Sequence, residues 1–365
     1  MEAREGISLN LDKFPEGIAN LIRAIADKPD FPERLARFAL VLRQTKQRYL
    51  SRDLALHAWR LAPADPRVRY LTYRAVRESA PQWHFPMVHD SRRNEAYARA
   101  LRHFVRPGML VFEIGAGTGL LAMLAARAGA AQVITCEKEP LIAELAKTII
   151  ARNGLGDRIT VVPKELTQLT VGTDLPRRAD LLVAELLNNN LLGDLVLPLY
   201  VYARKHLLTP EGRVLPETIA ARGMLVGGLE NGLFRMGEVL GFDLSPFNLM
   251  APPTLTIAEG GGRFDAYSEP VEIFRFDLNA FQQPDGEHVQ MEIAATRNGT
   301  VQGFMQWLWM DFGGGIAFEN RPPLKSHWWP VIHPFPQEMA VREGDLLCLT
   351  AQHDQERLMI WPEGR

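Results

Sequence analysis

The residues of this 365-residue chain that could do chemistry gather in a few short runs. The first is Glu113-Ile114-Gly115-Ala116-Gly117-Thr118-Gly119-Leu120, a strand pattern that runs into three glycines and then a helix pattern. Glycine permits a sharp turn and lets a ligand approach the backbone. Leu120 stands where a dinucleotide-binding loop needs its third glycine. Glu113 would repel a pyrophosphate and suits a ligand with an amino or sulfonium charge. Glu137, eighteen residues past Gly119, closes the next strand pattern, where a carboxylate can accept hydrogen bonds from both ribose hydroxyls. Glycine loop and ribose acid together imply S-adenosylmethionine (SAM) as cofactor.

The second run is Ala179-Asp180-Leu181-Leu182-Val183-Ala184-Glu185, followed by Asp194 nine residues on. Glu185 lies at the carboxyl end of a buried strand pattern, the ligand side of a parallel sheet. Two acids on one loop beside a methyl donor can grip a cation, and the planar arginine fork suits bidentate carboxylates. Spacing alone favours a helix-capping acid and a solvent acid over such a grip.

The elements that must position these residues fall into three stretches. Residues 1–80 read as a helical extension, with apolar residues at helical spacing (Ile18, Leu21, Ile22, Ile25; Leu35, Phe38, Ala39, Leu42) and a break at Pro63-Ala64-Asp65-Pro66. The pattern is tetratricopeptide-like (TPR-like), one repeat or slightly more. Residues 81–216 alternate strand and helix, which predicts a mainly parallel, doubly wound, Rossmann-like α/β sheet. Residues 217–365 give strand runs separated by turns such as Arg297-Asn298-Gly299, an all-β module of barrel or sandwich type. Within it, about 230–252 reads as a helical arm.

Upstream of the glycine loop stands Met87-Val88-His89-Asp90-Ser91-Arg92-Arg93, and near the end stands Ser326-His327-Trp328. With the glycine loop and the acid pair between them, four motifs in this order make residues 83 to 365 resemble the protein arginine methyltransferases. The resemblance implies that Arg93 pairs with the SAM carboxylate, that Gly115, Gly117 and Gly119 cradle the cofactor, and that Glu137 holds its ribose. It implies Glu185 and Asp194 as the pair that grips the substrate guanidinium, Asp90 near the active site, and His327 and Trp328 at the substrate. Gly241-Phe242-Asp243-Leu244 resembles the family's dimerisation arm, which implies a homodimer through 230–252. The all-β stretch then corresponds to the family's β-barrel, and the leader to its TPR-bearing type.

The chain also departs from the family pattern. Asp194 stands where the family has glutamate, which withdraws the carboxylate by about 1.5 Å, one bond length. Asn188-Asn189-Asn190 has no counterpart, and Thr167 replaces a glutamate near the adenine, with Glu165 as the nearby substitute. The tyrosines of an upstream helix are absent from Trp83-His84-Phe85. The expected reaction is attack of a guanidinium nitrogen on the SAM methyl. Glu185 and Asp194 steer the guanidinium charge, and His327 and Asp90 take up the proton. The alternatives are a SAM-binding pseudoenzyme that acts as a binding scaffold, and a small-molecule methyltransferase.

Composition bounds the partners. The formal net charge of −2 gives no basic field for nucleic acid. Two cysteines, both expected to be buried, make neither a disulfide framework nor a thiolate zinc cage, so no metal is expected. With no membrane span in the pattern, the expectation is a cytoplasmic enzyme acting on arginine-containing proteins or peptides.

Overall fold

A computed structural model of the chain describes residues 9–45, 48–79, 82–193, 195–230, 235–257 and 263–363. It separates into two compact units, Met1–His84 and Phe85–Arg365, the first boundary falling four residues beyond the one expected at 80.

The first unit holds α1 (Glu16–Ala26), α2 (Phe31–Arg43), α3 (Arg48–Leu61) and α4 (Pro66–Val76). The break between α3 and α4 is chemical: Asp65 caps α4 by accepting the Arg67 and Val68 amides at 2.8 and 3.3 Å, and Pro66 occupies the first turn. The unit has its own apolar core, with Leu35, Ala36, Ala39, Leu54, Ala55 and Ala58 fully buried.

In the second unit α5 (His84–His89) and α6 (Ser91–Phe104) precede β1 (Leu110–Ile114), α7 (Leu120–Arg127), β2 (Gln132–Cys136), α8 (Pro140–Arg152), β3 (Ile159–Val162), β4 (Ala179–Ala184), α9 (Val196–His206) and β5 (Leu208–Leu215). Among the described residues the five strands form one parallel sheet in the order β3-β2-β1-β4-β5. Every residue of β1 is buried, as a strand covered by helices on both faces must be. The order reverses at β1, whose Ile114 is paired with Cys136 of β2 and Ala184 of β4. The glycine loop after Ile114, Glu137 after Cys136 and Glu185 after Ala184 therefore leave the sheet side by side, at the crevice where such sheets bind ligands.

The chain continues through β6 (Thr218–Gly227), β7 (Glu238–Val239), β8 (Phe242–Asp243), β9 (Leu255–Thr256), β10 (Asp265–Ala266), β11 (Val271–Asp277), β12 (Glu287–Ala294), β13 (Gly299–Asp311), β14 (Ala317–Glu319), β15 (Val331–Val341), β16 (Leu346–His353) and β17 (Leu358–Pro362). One antiparallel sheet is built on β6, β13 and β15, and β12, β16 and β17 form another. Phe274, Phe276, Val301, Phe304 and Phe335 of the first share a core with Ile293, Leu347, Leu349 and Ile360 of the second. That core is continuous with the apolar core of the parallel sheet.

Two of these expectations need correction. The arm is not an α-helix where it is described: β7 and β8 make a hairpin, and only a short 3₁₀ helix covers Ser245–Met250. Leu240 and Gly241 both take positive φ, 52° and 83°, which turns the chain back on itself and is incompatible with a helix. Residues 231–234 of the arm lie outside the described residues. Cys348 is exposed, because β16 alternates and points Leu347 and Leu349 inward instead; Cys136 is buried as expected. β15 is a long strand although its sequence carries two prolines, Pro334 and Pro336. Pro334 sits opposite Gly303 beside a break in register, the kind of site at which a strand tolerates proline.

Candidate active site

Gly115, Gly117 and Gly119 adopt φ of 80°, 51° and 79°, left-handed values that favour glycine at each step. The Gly115 and Ala116 amides donate to the Cys136 carbonyl at 3.0 and 2.9 Å, folding the loop over the end of β2. A side chain at Gly119 would lie 3.0 Å from Ile150, so glycine also lets α7 start tight against α8. Glu137 is nearly buried and accepts the Gly117 amide at 3.1 Å and the Glu139 amide at 3.0 Å. Each of its oxygens keeps a lone pair for a diol. Glu165 is exposed three residues beyond β3, at the same sheet edge, and its side chain does not cap the helical turn it precedes.

Glu113 differs from its expected part. It is 1% exposed beneath the loop, and burial pushes its carboxyl up to about 8. At neutral pH it is therefore mostly a neutral acid in this structure, not the charge that would select a cationic ligand. The linkage has a definite sign. Between the ordinary value of 4.5 and about 8 the folded state holds the extra proton, so stability declines as pH rises through that window. Thermal melts of the parent should fall between pH 5 and pH 8, and Glu113→Gln should flatten that slope. An equal slope in both proteins would remove Glu113 as its cause.

Asp90 joins two remote segments. Its Oδ1 caps α6 by accepting the Arg93 amide at 3.0 Å. Its Oδ2 accepts the Ser326 hydroxyl at 2.7 Å, the His327 amide at 3.0 Å and His327 Nδ1 at 3.1 Å. Burial opposes its ionisation, but these donors outweigh burial and hold the carboxyl well below the usual carboxylate range. An ionised Asp90 can only accept, so His327 donates to it from Nδ1, and Nε2 lies on the far side of the ring. Asp90, already filled with donors, orients the ring; the geometry gives it no part as a second base.

Arg93 and Glu185 form a buried ion pair, Nη2 to Oε2 at 2.7 Å, with side chains 4% and 5% exposed. Arg93 Nη1 donates to Asn94 at 2.8 Å, and its Nε is buried with no partner among the described residues. The ring of Tyr97, one turn along α6, lies 5.2 Å from the guanidinium. Tyr97 and Tyr200 both donate to the Ala184 carbonyl at 3.0 Å, fixing the backbone immediately before Glu185. The sequence reading missed both tyrosines; the spacing of Arg93 and Tyr97 at i, i+4 was the available signal.

The loop after Glu185 is knotted by the asparagine run. Asn188 Oδ1 accepts the Asn190 amide at 2.9 Å, and the Asn188 carbonyl accepts the Leu191 amide at 3.0 Å. The Asn188 amide fills the space where a Gly193 side chain would stand, and Gly193 has φ of 144°. Asp194 lies outside the described residues. Trp328 is 2% exposed and donates its indole N–H to the Leu187 carbonyl at 3.0 Å. It braces the loop from behind and presents no face to a substrate, contrary to the part expected of it. Asn320, 1% exposed, accepts the Leu308 amide at 2.8 Å and donates to the Trp328 carbonyl at 2.9 Å, anchoring the segment to β13.

The structure thus brings Asp90, Arg93, Glu185, His327 and Trp328 into one bonded cluster. A side chain on Gly115 would meet Leu186 at 3.5 Å, so the glycine loop abuts the acid-bearing loop. These residues fit SAM. The glycines leave the backbone open over the sheet, with free space around Gly117, and the unpartnered Arg93 Nε is a ready donor for a carboxylate. Gly115, Gly117 and Gly119 would hold the cofactor with Glu137 at its ribose and Arg93 at its carboxylate.

Comparison with known proteins agrees. Residues 97–214 match the family model described as ribosomal protein L11 methyltransferase (PrmA). An arginine N(omega)-methyltransferase of Streptomyces achromogenes subsp. streptozoticus is 38% identical over 283 residues, spanning 75% of this chain and 76% of that protein. Protein arginine N-methyltransferase 7 of Drosophila simulans is 29% identical over 76% of this chain, which spans about half (46%) of that longer protein. In structure, the Trypanosoma brucei PRMT1 enzyme-prozyme heterotetrameric complex with AdoHcy superposes with a TM-score of 0.69, at 20% identity, over 79% of this chain and 95% of that one. Arabidopsis thaliana protein arginine methyltransferase 10 gives 0.63 at 18% identity, over 75% and 88%. The four motifs, the bonded cluster they form and these likenesses converge: the chain belongs to the protein arginine methyltransferase family, with SAM as its methyl donor and arginine methylation as its reaction.

Proposed function

We propose that the chain methylates arginine guanidinium nitrogens in protein substrates, and that Glu185 with Asp194 holds the guanidinium. One observation carries the assignment: Glu185, at the carboxyl end of β4, grips a guanidinium at 2.7 Å, that of Arg93. When bound, SAM supplies a methyl group on a sulfonium. The chain's own residues do the rest. Arg93 Nη1 and Nε turn to the cofactor carboxylate, Glu185 orients the substrate fork, and His327 Nε2 receives the proton. Because guanidinium is so weakly acidic, position and electrostatics supply most of the rate.

The remaining readings follow the same frame. The chain divides into a TPR-like extension (1–80), the cofactor-binding domain (81–216) and the barrel (217–365). It forms a homodimer through 230–252, a reading supported by the exposure of Leu240 (94%), Phe242, Leu249 (90%) and Met250 on that arm. No helix among the described residues is long and apolar enough to cross a membrane. We place the enzyme in the cytoplasm, where two unpaired cysteines are at home.

A second reading, free arginine as acceptor, is favoured by the Streptomyces relative, whose name specifies arginine and no protein. The test offers tritiated SAM with an arginine-rich protein and with L-arginine in parallel. Label in the protein supports the first reading, label in L-arginine alone supports the second, and label in neither sinks both.

A further inference from the structure

The Asn188-Asn189-Asn190 run is the motif the family likeness leaves without a part. Asn188 closes the loop upon itself, as described above. Asn189 does something different. Its Oδ1 accepts the backbone N–H of Trp329 at 2.9 Å, so its side chain reaches out of the acid-bearing loop to the segment that carries His327. The Trp328 indole crosses in the other direction, to the Leu187 carbonyl. These two bonds sit two residues apart on the loop and join the stretch between Glu185 and Gly193 to Ser326–Trp329. That segment is held in turn by Asp90 on one side and Asn320 on the other.

We propose that Asn189 is a positioning residue for arginine methylation: its side-chain oxygen fixes the register between the loop that grips the guanidinium and the segment that presents His327. The proposal rests on the site assigned above and deepens it. Both loops are irregular backbone, and nothing in a sheet ladder sets their separation. A shift of about 1 Å between gripping and proton-accepting groups costs on the order of a hundredfold in rate. The Asn189 side-chain bond runs to Trp329 and not to the glycine loop or Glu137, so SAM binding is the step it should leave alone. The requirement is an acceptor at that position, which aspartate also provides with the same shape.

The experiment compares Asn189→Ala, Asn189→Asp and Glu185→Gln in the full chain, with initial rates on an arginine-glycine peptide and SAM affinity by calorimetry. The expected result is a fall of ten- to a hundredfold in kcat/KM for the peptide in Asn189→Ala. SAM affinity stays within twofold, and Asn189→Asp returns most of the rate. A rate for Asn189→Ala within twofold of the parent overturns the proposal, as does equal loss in Asn189→Asp, since the acceptor remains there. If Asn189→Ala fails to fold, Asn189→Asp and Asn189→Ser decide: a rate ordered by acceptor reach supports the proposal, and equal rates overturn it. Glu185→Gln separates the two levels. If it is inactive while Asn189→Ala is unaffected, the positioning role alone falls; if both are fully active, the site assignment falls with it.

Discussion

Glu185→Gln is expected to lower methyl transfer to arginine by a thousandfold or so while SAM still binds. Removing a single preorganised electrostatic group from an active site costs on the order of a hundred- to a thousandfold, and here the same change also loosens the fork's orientation. The substitution has a second consequence that the internal ion pair makes visible. Arg93 is 4% exposed at its side chain, and Glu185 is the carboxylate that balances its buried charge. Breaking one partner of such a pair destabilises by about 3–5 kcal/mol. Glutamine keeps an oxygen acceptor for Arg93, so the loss should sit at the low end, and Glu185→Ala at the high end. Thermal melts and tritium incorporation, read together, separate the effects. A Glu185→Gln protein that melts lower yet methylates at the parental rate would contradict the assigned grip.

Asp90→Asn is expected to cost about a hundredfold or more in kcat, the range a general base contributes. Asparagine preserves the size of the side chain, and one oxygen can still accept either the α6 amide or the Ser326 and His327 group. It cannot do both, because the other position is an NH₂ facing donors. The capping loss amounts to about 1 kcal/mol. The catalytic loss arises because nothing then holds the His327 hydrogen on Nδ1, and Nε2 no longer stands reliably as the acceptor. The sign of the acid dependence follows from the depressed carboxyl. Asp90's contribution to stability is fully present above its unfolded value of 3.8 and is lost only as pH falls through the lower folded value. The parent should therefore keep this tie at pH 4 to 5, and the stability difference between parent and Asp90→Asn should persist unchanged there. A difference that vanishes already at pH 5 would argue against an ionised Asp90. A kcat within threefold of the parent would remove His327 as the proton acceptor.

Much of the site was legible because its requirements are local. A left-handed turn after a buried strand admits little besides glycine, so Gly115, Gly117 and Gly119 announce themselves. Acids at the ends of β2 and β4 fall on the ligand edge by the geometry of a parallel sheet alone. The break at Asp65-Pro66 is likewise written in a few neighbouring residues. What stayed hidden depends on partners far away in sequence. Asp90 and His327 are 237 residues apart, and Asn189 and Trp329 are 140 apart. Trp328 reads as a substrate aromatic until its indole is found on the Leu187 carbonyl. Glu113 reads as a charge until burial is known, because the energetic standing of a carboxyl is set by its surroundings. The arm reads as a helix because its apolar spacing is helical, and positive φ at Leu240 and Gly241 overrides that spacing.

The sequence by itself determined the kind of protein: a strand-and-glycine cofactor loop, acids at the sheet's ligand edge, four motifs in family order, and a β-rich second half. Only the tertiary structure decided the working parts: that Asp90 orients His327, that Arg93 rests on Glu185, and that Asn189 and Trp328 lash the acid-bearing loop to the segment that carries His327. The reason is physical. Backbone conformation and amphipathic period are properties of a few adjacent residues. Hydrogen-bond partners, burial and protonation state belong to groups that only folding brings within 3 Å of each other.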